Sequence, residues 1–256
     1  MRTLKLTIAY DGTRYAGWQV QPGSKPTIQG VLQDALRRIL GERVSVLGSG
    51  RTDAGVHAVG QVAHLRTRAS MAPERLFLAL NHLLPPDIAV RDVREAPEQF
   101  HAQFDAVSKR YRYRLVNGPI VLPFERPYVQ QIRAPLNARL MQREAAVLRG
   151  RHDMAPFQRT GRPVRDTRRT ISDISVRRQA CLPSDIRGGQ GSLITIEIEA
   201  DGFLYMMVRI IVGTLINIGR GYRPPGTIAR ILRTRDKRLV GPTAPARGLM
   251  LLQVRY

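Results

Sequence analysis

The chain is nearly free of cysteine and poor in lysine. Cys181 is its only cysteine, so there can be no intramolecular disulfide framework and no cysteine-based metal site. That cysteine usage fits a reducing cytoplasm. Met1-Arg2-Thr3-Leu4-Lys5 lacks the apolar core of a secretory leader. The longest apolar stretch, residues 203–218, is short for a bilayer span and carries Arg209 in its middle, so it reads as a buried helix and no membrane association is expected. Several signatures are missing as well. There is no Gly-Lys-Ser/Thr phosphate loop and no third glycine for a dinucleotide fingerprint. Gly48-Ser49-Gly50 is too short for a Gly-x-Ser-x-Gly nucleophile elbow. His57 and His64 have no third ligand at metal spacing, so they read as structural or RNA-contacting and no metal is expected. Cys181, beside a turn with no histidine near it in sequence, is not expected to be catalytic.

What the chain does have is positive charge. Its 256 residues carry a formal charge of +21, and all but four of the 41 basic side chains are arginine, the lysines being Lys5, Lys25, Lys109 and Lys237. Such an excess repels itself in a compact state, which points to a polyanionic partner, with nucleic acid first. Arginine forks bind phosphate bidentately and stack on bases. A hydrophobic content of 43% is enough for a substantial core, in one or two domains.

The densest signal is Gly48-Ser-Gly-Arg-Thr-Asp-Ala-Gly-Val-His57. Arg43–Leu47 before it reads as a strand, and residues 60–66 after it as another, so the ten residues are a connector. Its glycines let the backbone take unusual conformations and let a large partner approach. Arg51 and Asp53 are thereby held beside small neighbours, a carboxylate presented to a ligand.

Periodicity gives the order of elements around this loop. Leu4, Leu6, Ile8 and Tyr10 alternate as a strand. Residues 11–25 form a loop holding the only tryptophan, Trp18. Thr27 caps a helix that Gly41 stops, and Pro73 opens a second helix with Leu76, Phe77, Leu80, Leu83 and Leu84 as its apolar face. A strand at 88–94 completes a β-α-β-β-α-β order, and 97–105 is the expected joint between an N-terminal half (1–105) and a C-terminal half (106–256). The second half opens with a strand at 107–116, where Lys109, Tyr111 and Tyr113 point one way and Arg110, Arg112 and Arg114 the other, as a row of guanidinium groups. Three prolines mark a loop at 119–127, a helix spans 137–149, and 151–169 reads as irregular and very basic. Strands at 171–178 and 193–200, joined by a glycine-rich segment with Gly188, Gly189 and Gly191, are followed by the buried helix from Phe203, a short helix at 227–235 and a last strand at 249–254. The expected class is α+β: two β-α-β-β-α-β halves, each an antiparallel sheet with helices on one face. If the two sheets join edge to edge, their uncovered faces make one floor or cleft.

Gly50-Arg-Thr-Asp-Ala-Gly-Val-His57 resembles the signature of the tRNA pseudouridine synthase A family, and so do Tyr10-Asp11-Gly12, Met207-Val208-Arg209-Ile210-Ile211-Val212-Gly213 and Ala244-Pro-Ala-Arg-Gly-Leu249. The matches run over essentially the whole chain. The resemblance implies a continuous antiparallel sheet, pseudo-symmetric halves, a basic cleft and a homodimer. It implies isomerisation of uridine to pseudouridine within tRNA, with the anticodon stem-loop, positions 38 to 40, as target and no cofactor. It makes Asp53 the catalytic nucleophile, Arg51 the residue that helps take the target nucleotide out of the stack, Tyr111 rather than Tyr113 the tyrosine against the substrate, and Arg209 the partner of Asp53. A guanidinium on so apolar a helix must in any case find a carboxylate or reach solvent, because an uncompensated buried charge costs several kcal/mol. One departure stands before Arg209, where Phe203-Leu-Tyr-Met-Met207 replaces a segment in which family members often carry histidine. The rival reading is a non-catalytic RNA-binding protein on the same scaffold. The aromatic signature of RNA-recognition modules is absent from both halves, and such modules have no use for a lone aspartate in a glycine-rich loop. A ribosome-associated basic protein fits less well still, since the apolar content is too high for a polybasic arm.

Overall fold

The computed structural model describes residues 1–23, 25–159, 164, 166–180 and 191–256. Cys181, Gly188, Gly189 and residues 160–163 of the basic segment lie outside them. Among the described residues the elements are β1 (Arg2–Tyr10), α1 (Ile28–Leu40), β2 (Leu47–Gly48), β3 (His57–Thr67), α2 (Pro73–Leu83), β4 (Ile88–Ala96), β5 (Ser108–Asn117), β6 (Gln130–Ile132), α3 (Ala138–Ala146), β7 (Gly150–Asp153), β8 (Arg168–Ala180), β9 (Ser192–Ala200), α4 (Met207–Gly219), α5 (Thr227–Thr234) and β10 (Leu249–Arg255). The class is α+β with mostly antiparallel pairing, in agreement with the sequence. Residues Met1–Val107 with Met250–Tyr256 form one compact unit and Ser108–Leu249 another. No described helix is long and apolar enough to cross a membrane.

In the first unit β1 lies between β3 and β4, antiparallel to both, and β10 runs parallel to β3 through the pairs Met250–His57 and Leu251–Ala58. Leu4, Leu6, Ile8 and Tyr10 are buried along β1, as their alternation requires. The Thr27 hydroxyl caps α1 by accepting the Gly30 N–H, and Gly41 ends the helix in the left-handed conformation, φ 71°. Helix α1 buries Ile28, Leu32, Ala35 and Leu36, and α2 buries Leu76 and Leu80.

The expected strand at Arg43–Leu47 shortens to the two-residue β2. Val44 and Val46 are buried, but helix α1 supplies the polar partners that a neighbouring strand would otherwise give. Gln33 Oε1 accepts the Val46 N–H at 3.3 Å, and Gln29 Nε2 donates to the Val46 carbonyl at 2.8 Å. Side-chain amides replace ladder bonds, so extended chain persists without pairing.

In the second unit β9 lies between β5 and β8, antiparallel to both, with β7 on the outer edge of β8 and β6 parallel to β5. Tyr111, Tyr113 and Leu115 are buried on one face of β5. The guanidinium row occupies the other face, but it is not a bare row. Arg110 stands opposite Glu199 and Arg112 opposite Glu197 in the β5–β9 ladder, with closest approaches of 2.7 and 2.6 Å. Arg114 reaches Glu125 at 3.6 Å, and Arg149 reaches Asp173 at 2.8 Å. Cross-strand carboxylates thus offset this stripe, and half-exposed pairs of this kind are worth about 0.2–1 kcal/mol each.

The strands β6 and β7 are too short for the pattern to show, and β7 opens at Gly150 (φ 99°), the residue read as a helix stop. Helix α4 begins at Met207 rather than Phe203. Met206 before it takes a left-handed conformation, φ 58°, which breaks the helical run. Helix α5 is anchored by the buried Glu144, whose carboxylate accepts the N–H groups of Gly226 and Ile228 at 2.6 and 3.0 Å. Negative charge is favoured at that helix end.

Candidate active site

The loop between β2 and β3 is held from three directions. Its central residue, Thr52, is buried. The Thr52 hydroxyl lies 2.8 Å from the Tyr10 hydroxyl at the end of β1, and the Thr52 carbonyl accepts the Trp18 N–H at 3.1 Å. From β3, Gln61 Nε2 donates to the Gly50 carbonyl at 2.9 Å. Trp18 is itself buried, its ring centroid 6.1 Å from that of Tyr10. The close approach to Thr52 needs glycine at position 17, where φ is +100° and a Cβ would stand 2.6 Å from the Thr52 carbonyl oxygen.

Arg51 to Asp53 is irregular chain with a strand-like alternation of burial. With Thr52 turned inward, Arg51 on one side of it is exposed and Asp53 on the other is half-buried. That alternation follows from the opposite directions of successive side chains in extended chain, and it presents an arginine and a carboxylate together. A turn follows, the Val56 N–H donating to the Asp53 carbonyl at 3.1 Å, with Gly55 at φ 76°. His57 closes the loop. Its ring is buried, its Nδ1 accepts the Gly12 N–H at 3.2 Å and lies 3.1 Å from Asp11 Oδ1. Tyr10-Asp11-Gly12 is therefore the other wall of the loop that carries Asp53. His64, farther along β3, is tied elsewhere, its Nδ1 accepting the Ala102 N–H at 3.1 Å. Burial, followed by the charge of His101, lowers its pKa.

The second unit separates the two tyrosines that the sequence left side by side. Tyr113 is fully buried, with its hydroxyl 2.7 Å from Gln130 Oε1 and 2.9 Å from the Pro245 carbonyl oxygen. Burial raises its pKa strongly. Its hydroxyl is committed to the interior. Tyr111 keeps 8% of its surface exposed and meets Phe203 edge to face, with centroids 5.0 Å apart. Lys109, on the same face of β5 by alternation, has its pKa pulled down to about 8 by burial.

Arg209 sits in the first turn of α4, half-buried. Its Nε donates to the Ala244 carbonyl at 2.7 Å, while the Ala244 N–H donates back to the Arg209 carbonyl at 3.0 Å. That reciprocal pair joins two stretches singled out in the sequence, 207–213 and 244–249, and fixes the plane of the guanidinium. Gly213 makes the approach possible, since a Cβ there would stand 1.7 Å from the Pro242 carbonyl oxygen.

Three supporting residues were not singled out as site residues in the sequence: Tyr10, Thr52 and Gln61. Tyr10 and Thr52 lie inside quoted motifs, so a signal existed for them. Gln61 in the middle of a strand carried none.

The tRNA pseudouridine synthase family matches residues 6–105 and 145–256 of this chain. The chain is 46% identical over 257 residues to tRNA pseudouridine synthase A of Moorella thermoacetica, and 43% identical over 256 residues to that of Ruminiclostridium cellulolyticum, with 100% of each chain covered in both cases. It is 41% identical to tRNA pseudouridine synthase A of Myxococcus xanthus, over 100% of this chain and 92% of that one. Identity at this level over the full length, together with the family match, establishes that the chain belongs to the tRNA pseudouridine synthase family.

Proposed function

We propose that the protein isomerises uridine to pseudouridine in the anticodon stem-loop of tRNA, at positions 38 to 40, with Asp53 as its nucleophile. The observation that carries this reading is the pinned loop: Thr52 faces inward, while Asp53 and Arg51 are presented outward beside small residues. The isomerisation breaks the N1–C1′ bond, turns the uracil and joins C5 to C1′. The C5 proton is lost and N1 takes one up, so no donor group, redox partner or cofactor is consumed. The chemistry needs a carboxylate at C1′, as in glycosidases, where an Asp or Glu captures or stabilises an oxocarbenium-like centre. Asp53 serves there either by attacking C1′ or by removing a sugar proton on the way to a glycal.

The target base must first leave its stack, at a cost of a few kcal/mol. Arg51, exposed next to the carboxylate, fills the gap. Tyr111 packs on the flipped base, a choice supported by its keeping 8% of its surface exposed while Tyr113 is fully buried. Arg209, its Nε held by the Ala244 carbonyl, is the proposed cationic partner of the catalytic carboxylate. The remaining unpaired positive charge serves phosphates, and the protein works as a homodimer, in keeping with the family resemblance.

The test is release of tritium from C5-labelled uridine in a tRNA transcript. Wild-type protein should release it and Asp53→Asn should not, with RNA binding kept in both. Replacing the uridines at positions 38 to 40 by cytidine should abolish release. Binding without release by the wild type would leave an RNA-binding protein on a synthase scaffold.

A further inference from the structure

Resting on that reading of Asp53, we infer that Tyr10, Thr52 and Gln61 form a positioning device that aims the carboxylate. The three side chains make a polarised chain inside the first unit. Gln61 Nε2 donates to the Tyr10 hydroxyl at 3.5 Å, leaving that hydroxyl to donate to Thr52 Oγ1 at 2.8 Å. The same Gln61 amide donates to the Gly50 carbonyl at 2.9 Å, and Gln61 Oε1 accepts the Val62 N–H at 3.2 Å. The network therefore grips the loop at Gly50 and at Thr52, on either side of Arg51 and immediately before Asp53. All three side chains are buried, Gln61 completely, in the low-dielectric interior where satisfied hydrogen bonds are strongest and orphaned ones most costly. Burial pushes the Tyr10 phenol up to about 12, so it stays a donor across any working pH.

The geometry makes the link to Asp53 direct. Thr52 is β-branched, with one hydroxyl fixed by Tyr10 and its carbonyl fixed by Trp18. In extended chain the direction of the next side chain follows from those two fixed points. Tyr10 and Thr52 touch no substrate in this scheme. They act through Asp53, and a displacement of about 1 Å at a reacting group costs on the order of 100-fold in rate.

Hydrogen-bond thermodynamics offers a test that separates aiming from mere stabilisation. Tyr10→Phe and Thr52→Val each strand one buried hydroxyl and should destabilise the protein. The double variant removes both partners and should recover most of the lost stability, since replacing both ends of a buried hydrogen bond by apolar groups of similar shape is nearly neutral, and Gln61 loses only its long 3.5 Å bond while keeping the 2.9 Å bond to Gly50. If the pair aims Asp53, the double variant melts close to wild type, yet its kcat for tritium release is lower by about 10- to 100-fold. Its KM for tRNA stays within about twofold, because nothing that binds RNA has changed, and Thr52→Ser, which keeps the hydroxyl, restores the rate. The deficit is the same at pH 6 and pH 9, as neither hydroxyl titrates there. A double variant with wild-type kcat, or one whose kcat recovers in step with its melting temperature, overturns the inference, as does a rise in KM at unchanged kcat. Asp53→Asn runs beside it. If that variant still releases tritium, the nucleophile assignment itself fails. If it is silent while the double variant is fast, only the positioning device fails.

Discussion

Gly17→Ala probes the wall of the loop. The added Cβ would lie 2.6 Å from the Thr52 carbonyl oxygen and 3.1 Å from the Asp53 carbonyl carbon, and φ at this position is +100°. Both obstacles are backbone, so no side chain can swing aside. Relief requires residues 17–18 to withdraw from residues 52–54, which stretches the 3.1 Å bond from the Trp18 N–H to the Thr52 carbonyl. The strained backbone costs about 1–3 kcal/mol. The lost or weakened hydrogen bond adds about 1 kcal/mol. The expected destabilisation is thus about 2–4 kcal/mol, read as a fall in urea midpoint at unchanged m. Gly41→Ala is the control. It has a positive φ of 71°, but a Cβ there meets nothing within 4 Å, so only the conformational cost of about 1–2 kcal/mol applies. The two variants should also part in activity. Gly41 caps a helix, so its variant keeps wild-type tritium release at a temperature where both are folded. Gly17→Ala shifts the loop of Asp53 and should lose at least about tenfold in kcat. A Gly17→Ala protein as stable as Gly41→Ala, with unimpaired release, would refute the claim that close backbone contact holds this loop.

Three further outcomes follow from other parts of the structure. Met206 holds a left-handed conformation, φ 58°, that asparagine tolerates better than methionine, so Met206→Asn should raise the urea midpoint by the equivalent of about 0.5–1 kcal/mol; a lowered midpoint would mean that its contact with Arg159, 3.5 Å from Met206 Sδ, outweighs the strain. RNA binding should weaken steeply with salt, and Arg51→Ala should reduce the slope of log K against log salt by about one, whereas Arg110→Ala, whose charge already faces Glu197 and Glu199, should leave the slope unchanged. Lys109 gives a pH signature. Its folded pKa is lowered from 10.5 to about 8, so between those values the unfolded chain binds more protons than the folded one and stability contributed by this residue rises with pH. In stability-against-pH curves, wild type minus Lys109→Met should climb through that window and lie flat below it; a difference that falls there would show that the ammonium is stabilised by its surroundings.

Local rules made most of the framework readable. The Thr27 cap and Gly41 stop bound α1 within a residue because both work through their own backbone neighbourhood. The alternation in β1 and β5 identified buried faces, since the period of a strand is a local property. The failures share a different cause, which is that distant partners decided them. Arg43–Leu47 alternates in burial as a strand would, but Gln29 and Gln33 of α1 take the polar groups of Val46 that a strand would have paired. The arginines of β5 look like a bare row until Glu197 and Glu199 of β9, 85 and 89 residues away in sequence from Arg112 and Arg110, stand opposite them. Tyr111 and Tyr113 are indistinguishable by pattern, and they differ through what the fold puts around them: Phe203 against Tyr111, and Gln130 and Pro245 against the Tyr113 hydroxyl. At the candidate site, the residues proposed to carry the chemistry stand in a family motif, while Gln61, whose amide holds the Gly50 carbonyl, sits in a plain strand sequence.

The placement of Asp53 has a physical logic that this contrast brings out. A carboxylate on a loop has room for a large substrate to approach, but loops are ordinarily the mobile part of a fold. Here the mobility is removed from inside. Gly50 is held by Gln61, Thr52 by Tyr10 and Trp18, Val56 by the turn from Asp53, and His57 by Gly12. Apart from the loop's own turn at Asp53, those anchors come from β1, β3 and the segment after β1, all within one compact unit. Because the anchored groups are backbone or inward-facing, Arg51 and Asp53 stand among small residues on the other side, so the loop is held without crowding that side. It follows that substitutions on the inward side should act on kcat and those at Arg51 on binding, a division that the variants described above can measure directly.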